Sequence, residues 1–155
     1  MILVDTSVWI DFFSRSPGRA GSELRRMIDE VEPFALTGAV VTEVLQGLTR
    51  DVNRIERYLS LWEMLEPRGF STYREASAIS RLARSKGISL TTIDTLIAAI
   101  ALEHQASLFS LDKDFSPIAR ITALRLHPLT GAPARKNEPS NIRFFDSYRL
   151  ATHIQ

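Results

Sequence analysis

Apolar positions along this chain alternate between short continuous runs and helical stripes. Ile2, Leu3 and Val4 form an unbroken run with two β-branched members. Such a run fits a central strand covered on both faces, although periodicity alone also admits a buried helix. Asp5 ends it. Val8, Trp9, Phe12 and Phe13 then fall on one side of a helix, with Asp11 turned elsewhere. The residues Arg15 to Gly21, with Pro17 and two glycines, read as a loop. A second helix follows, capped by Ser22, with Leu24, Met27, Ile28 and Val31 as its stripe, and Pro33 breaks it.

The same alternation continues. Phe34 to Leu36 is a second short strand, and the next helix carries Val41, Val44, Leu45 and Leu48 inward with Glu43 off the stripe. A helix capped by Asp51 directs Val52, Ile55, Leu59 and Trp62 to the core, and Glu66 to Gly69 is a turn. A further helix bears Ala76, Ile79, Leu82 and Ala83 and stops at Gly87. Ile93 to His104 is apolar almost all round and belongs in the core. Ser107 to Leu111 is a strand, Pro117 permits a short helical turn, and Leu124 to His127 alternates as an edge strand. The order β-α-α-β-α-α-α-α-β-α-β predicts an α/β domain with a mostly parallel central sheet flanked by helices. That domain spans residues 1–128. After Pro128 the composition shifts to a Pro- and Gly-containing linker, Thr130 to Asn141, before apolar residues return at Ile142, Phe144, Phe145, Tyr148 and Leu150. Residues 129–155 are expected to form a C-terminal extension or tail.

Composition changes this picture little. The 155 residues suffice for one domain with a real core. Nineteen basic and eighteen acidic residues give a net charge of +1, so any polyanionic partner must be met by local patches. The absence of cysteine excludes disulfides, thiolate metal sites and cysteine nucleophiles, and suits a reducing, cytoplasmic setting. The first residues do not read as a signal peptide, because Asp5 interrupts the apolar stretch at once.

Four acids carry the candidate chemistry. Asp5 and Asp112 each end an apolar strand, where a parallel sheet opens its ligand crevice. Asp94 lies in the first turn of a buried helix, and Glu43 interrupts an apolar one. Each has a plain structural use: a helix cap, a dipole partner, an Asx turn or a solvated residue. Together, however, four carboxylates converging on one crevice repel one another and are costly to bury, which a bound cation relieves. Hard oxygen ligands with no His or Cys cluster point to Mg²⁺ or Mn²⁺. His104, His127 and His153 are scattered and show no zinc spacing.

Four ordered stretches carry a resemblance: Val4-Asp5-Thr6-Ser7-Val8-Trp9-Ile10-Asp11, Thr42-Glu43-Val44-Leu45-Gln46-Gly47, Asp94-Thr95-Leu96-Ile97-Ala98-Ala99 and Ser110-Leu111-Asp112-Lys113-Asp114-Phe115. They resemble the motifs of PIN-domain ribonucleases, and most closely VapC-type toxins of bacterial toxin–antitoxin pairs, over about Met1 to Pro128. The resemblance implies a three-layer αβα domain and Mg²⁺- or Mn²⁺-dependent endonuclease action on RNA. It also implies a homodimer and a VapB-type antitoxin covering the site. By position, Asp5, Glu43, Asp94 and Asp112 would form the acidic quartet, with Asp5, Asp94 and Asp112 on the metal. Ser7 and Ser110 would be supporting polar groups and Asp114 an outer acid. Arg15, Arg19, Arg25 and Arg26 are the candidate RNA-contact rim, a run weakened by Glu23. The segment after Pro128 has no counterpart in these motifs.

Two other classes use similar parts. A phosphate-signalling receiver domain also gathers acids around Mg²⁺ at strand ends, but the adjacent acid pair after the first strand and a strand-ending Lys are missing here. A catalytically silent binding module could keep the fold, but the intact quartet argues against it.

Overall fold

A computed structural model describes residues 1–130 of the chain. Five parallel strands run in the order β3-β2-β1-β4-β5: β1 (Ile2–Val4), β2 (Phe34–Leu36), β3 (Glu63–Met64), β4 (Ser107–Phe109) and β5 (Arg125–Leu126). Central β1 aligns Ile2, Leu3 and Val4 with Ser107, Leu108 and Phe109 of β4, and Ile2 and Leu3 with Phe34 and Ala35 of β2. From β1 the chain moves outward through β2 to β3, then returns to the other side of β1 as β4. The direction of winding therefore reverses between β1 and β4, the position at which open α/β sheets open a crevice at their carboxyl ends.

The helices are α1 (Thr6–Phe13), α2 (Arg19–Asp29), α3 (Gly38–Gln46), α4 (Val52–Leu59), α5 (Phe70–Ser85), α6 (Thr92–Glu103) and α7 (Phe115–Ile121). Right-handed crossovers put α1 to α4 on one face and α5 to α7 on the other, giving three layers. The packing agrees: α1 meets α2 and α3, whereas α5 meets α6 and α7. Contact of α3 with α6 brings the helix of Glu43 to the helix of Asp94.

The core follows the apolar pattern. Val8, Trp9, Phe12 and Phe13 of α1 are all buried. The Trp9 ring lies 5.6 Å from Phe12 edge-on and 5.6 Å from Phe13 in a stacked arrangement. Ile97 to Ala101 fill the centre of α6. Helix α2 lies close on α1 because Gly21 has no side chain: a Cβ there would sit 2.9 Å from the backbone of Phe12. Asp11 fastens the same junction. Its carboxylate accepts hydrogen bonds from the backbone N–H of Gly18 at 2.8 Å and of Gly21 at 2.7 Å, serving the first turn of α2 in place of a local cap.

Several expected boundaries shift. The fourth helix ends at Leu59, and Glu63–Met64 forms an additional parallel edge strand on β2. Val31 is 84% exposed with a positive φ, because α2 ends before it and the chain turns through the left-handed region. Val52 and Leu82 are likewise exposed, and Tyr58 is buried in α4. The strand expected at Ser107 to Leu111 ends at Phe109. Gly87 follows α5 with φ +74°, the conformation expected beyond a helix end. The extension's apolar residues, Ile142 to Leu150, and nearly all of its linker lie outside the described residues. No helix among the described residues is long and apolar enough to cross a membrane.

Candidate active site

Asp5 lies at the carboxyl end of β1, where the winding of the sheet reverses. It is 4% exposed, its backbone N–H donates to the Phe109 carbonyl at 2.9 Å, and it caps α1 by accepting from the Ser7 N–H. Structural cap and candidate ligand are thus one residue. The β1–β4 register continues past the strands, so Ser110, not Asp112, lies alongside Asp5. Ser7 and Ser110 each donate a hydroxyl to Oδ2 of Asp5 at 2.7 Å. Their own oxygens accept from the backbone of the following loop, Ser7 from Leu111 at 2.9 Å and Ser110 from Asp112 at 2.9 Å. Two serines therefore clamp the loop after β4 against one carboxylate oxygen. Among the described residues nothing donates to Oδ1 of Asp5, and no cationic side chain pairs with it.

The other three acids are held in the same one-sided way. Thr6 donates its hydroxyl to Oε2 of Glu43 at 2.6 Å. Thr91 donates to Oδ2 of Asp94 at 2.5 Å and accepts from the Asp94 N–H at 3.1 Å, a capping box at the start of α6. Asp112 is exposed and accepts from the Asp114 N–H at 2.9 Å through Oδ1. Among the described residues, each of the four acids therefore keeps one oxygen without a hydrogen bond. Asp114 is exposed at the start of α7, with no side-chain cap bond.

The donor set suits a hard divalent cation, but it is not a closed cage. No group of three or more His, Asp or Glu side chains among the described residues stands close enough together to hold a metal. That spacing is compatible with Mg²⁺, which keeps several waters and takes only one or two carboxylates directly. Thr6 and Thr91, which position two of the acids, are not among the residues that the sequence motifs mark as functional. The stretch Thr91-Thr92-Ile93-Asp94 carries a legible capping-box signal; the Thr6–Glu43 pairing spans 37 positions and carries none.

The arginine run behaves differently from the acids. Arg26 is enclosed by acids, bonding Glu23 at 2.9 Å, Glu32 at 2.7 Å and also Glu30. Arg25 faces Asp29 at 4.0 Å, while Arg15 and Arg19 are exposed. The carboxyl of Glu23 is held below the usual carboxylate range by the Arg26 hydrogen bonds, against an upward push from burial; the Arg26 charge, Thr130 and His127 add to the lowering. The Arg26 guanidinium is correspondingly held in its charged form.

The comparisons with known proteins fit this geometry. Residues 2–121 match the PIN domain family. The chain is 36% identical over 129 residues to Ribonuclease VapC11 of Mycobacterium tuberculosis, covering 81% of this chain and 96% of that protein. A VapC ribonuclease of Mycobacterium bovis matches to the same extent, 36% over 129 residues. The structure of VapBC2 from Rickettsia felis bound to a promoter DNA fragment superposes with a TM-score of 0.66 at 20% identity, over 82% of this chain and 98% of that one. With a parallel sheet whose winding reverses beside the strand that Asp5 ends, and matched along nearly its whole described length, the chain belongs to the PIN-domain family, among the VapC ribonucleases.

Proposed function

We propose that this protein is the toxin of a type II toxin–antitoxin pair, an endoribonuclease that hydrolyses RNA phosphodiester bonds with Mg²⁺ or Mn²⁺. The observation that carries the reading is Asp5: a buried carboxylate with one oxygen clamped by two serines and the other left open, beside no cationic side chain among the described residues. A buried charge in that state is costly unless a cation completes it. The naming of the VapC relatives as ribonucleases supports RNA as the substrate.

Asp5, Asp94 and Asp112 would hold the ion, directly or through its waters, and Glu43 would complete the acidic quartet. When bound, such an ion lowers the pKa of a coordinated water and offsets charge on the phosphate oxygens. The chain's own groups do the positioning. Ser7 and Ser110 fix Oδ2 of Asp5, which would leave Oδ1 for the ion, and they hold the Asp112 loop beside it. Thr6 and Thr91 orient Glu43 and Asp94 in the same manner. The metal-free quartet repels polyanions, which also makes it a receptor for a cationic side chain. We therefore assign a VapB-type antitoxin, with an Arg or Lys reaching the quartet, together with a homodimeric toxin acting in the cytoplasm.

The deciding experiment incubates the purified chain with total RNA in Mn²⁺ and in EDTA. Cleavage in Mn²⁺ alone, lost in Asp94→Asn while the fold persists, is the expected result. No cleavage by a folded wild-type chain in either condition would overturn the nuclease reading. Expression alone should arrest growth, and co-expression with the adjacent small open reading frame should relieve it.

A further inference from the structure

An acidic centre that cuts a polyanion needs cationic groups to bring the strand in, and the α2 arginines are poorly suited to it. Arg26 is occupied by three carboxylates and Arg25 faces Asp29. A second set stands on α5. Arg81 and Arg84 are exposed and make no ion pair with an acid among the described residues. They line a groove of about 330 Å³ between α5 and the start of α6, together with Tyr73, Ser77, Thr92 and Leu96. Among the described residues no acidic side chain lines this groove. The larger groove on the far side of α5, about 520 Å³, carries Glu75 and Glu103 against the single Arg74 on its walls, a less favourable balance for a phosphate chain.

Three features give the smaller groove a direction and a ligand chemistry. Ser77 accepts one N–H of Arg81 at 3.0 Å, orienting a guanidinium that keeps further donors for phosphate. Tyr73 is 53% exposed at the other end of the same face, roughly 16 Å away along the helix from Arg84. Thr92 and Thr95 of the opposite wall belong to the same first turn of α6 as Asp94, so the groove lies one helical face away from that acid. Guanidinium groups and an exposed aromatic ring spaced along one groove match single-stranded nucleic acid, whose unstacked bases and phosphates are both available.

We propose that the α5–α6 groove is the subsite for single-stranded RNA, with Arg81 and Arg84 on its phosphates and Tyr73 stacked on a base, leading the strand past Asp94. It rests on the nuclease reading above and adds where the substrate lies. The test measures binding of a fluorescent single-stranded RNA 12-mer to the full chain in Ca²⁺, with a gel confirming that the strand stays intact. Arg81→Gln with Arg84→Gln should weaken binding at least tenfold and reduce the slope of log affinity against log salt by about 1.4, the value for two phosphate contacts on a single strand. Tyr73→Ala should weaken it by about five- to a hundredfold with the slope unchanged. Arg19→Gln with Arg25→Gln should change binding less than threefold. Light scattering on the same samples separates a rival occupant, a second copy of the chain. If the α5 double variant turns a dimer into a monomer, the groove is an interface between copies and the RNA assignment is overturned. Unchanged affinity and slope in that variant would overturn it too, leaving cleavage intact. A wild type that neither binds nor cleaves RNA would fell the nuclease reading and this subsite together.

Discussion

Two acids among the described residues are buried, and they are buried on opposite terms. Glu23 of α2 is 2% exposed, and both of its oxygens meet Arg26, Oε1 at 2.9 Å and Oε2 at 3.3 Å. The Thr130 hydroxyl and His127, the latter at 3.9 Å, complete its surroundings. Asp5 is 4% exposed, and its donors are neutral: two serine hydroxyls and a backbone N–H, all on one oxygen. Inside a protein a carboxylate must be compensated, and Glu23 is compensated by the chain itself. Asp5 is compensated only in part. The difference separates an acid that holds the fold together from one whose counter-charge comes from outside.

The largest expected effect breaks that pair apart by activity. Asp5→Asn should lower RNA cleavage in Mn²⁺ by orders of magnitude, because the position loses its charge while keeping its shape and its capping oxygen. Glu23→Gln, equally conservative and equally buried, should leave the rate per folded molecule within a few-fold of wild type. Single-turnover cleavage at saturating protein makes the comparison. Equal losses in the two variants would show that burial of the acid, not its open oxygen, matters.

Stability should reverse the ranking. Glu23→Ala leaves Arg26 with Glu30 and Glu32 only, and empties a buried site against α2. Breaking a buried pair costs about 3–5 kcal/mol, and the half-exposed Arg26 with its remaining partners brings the expectation to about 2–3 kcal/mol. For a chain of this size that lowers Tm by roughly 5–10 °C. Asp5→Asn in EDTA should melt at or above the wild-type temperature, since it removes a buried charge that lacks a cation. A thermal melt that puts Asp5→Asn well below Glu23→Ala would make Asp5 mainly a structural cap.

This contrast also explains what was legible in the sequence. Asp5 follows an apolar strand, and a strand followed at once by an acid is a local pattern. Glu23 carries no such signal: in the chain it only dilutes a run of arginines, and its burial comes from α2 folding onto the domain. In the sequence Arg26 looks like part of an RNA rim for the same reason: its three acids are gathered only by the helix and by Glu32 beyond its end. Periodicity places the helices and turns, but not β3. Glu63 and Met64 are both exposed and present no apolar face, so their membership of the sheet rests on backbone pairing with Ala35 and Leu36. The apolar run places Asp112 at a strand end, but β4 stops at Phe109 and Ser110 turns to bond Asp5.

Acid should sharpen the comparison further. The carboxyl of Glu23 is depressed below its ordinary value of 4.5 by Arg26 hydrogen bonding. A depressed acid contributes stability that is fully present above the unfolded value and is lost as pH falls through the folded one. The difference in Tm between wild type and Glu23→Gln should therefore hold from pH 7 to about pH 5 and close below the ordinary value of 4.5. Glu103, also depressed, acts in both proteins: burial raises it, but the Thr72 hydroxyl, the Arg68 N–H and nearby positive charge outweigh that. Melts across this range check the outcome, and a difference that widens in acid would contradict it.

The smallest effect tests the hydroxyls around each acid. Thr130 donates to Oε1 of Glu23 at 3.3 Å, an oxygen that Arg26 already bonds at 2.9 Å, and Thr130 itself is exposed. Removing it with Thr130→Val should cost only about 0.5 kcal/mol, the low end for a net hydrogen bond. Ser110 donates to Oδ2 of Asp5 at 2.7 Å and accepts from the Asp112 N–H, so Ser110→Ala loses two bonds, one of them to a charge without a cationic partner. About 1.5–3 kcal/mol is expected there, the range for hydrogen bonds to charged groups. Denaturant unfolding in EDTA reads both variants on one scale. The interaction is also conditional: a divalent ion that takes up the Asp5 charge should shrink the Ser110→Ala penalty, whereas the Thr130→Val penalty should not respond to Mn²⁺ at all. Equal penalties with the same response to Mn²⁺ would mean that the two buried acids are compensated alike, and the division between a structural and a functional carboxylate would fail.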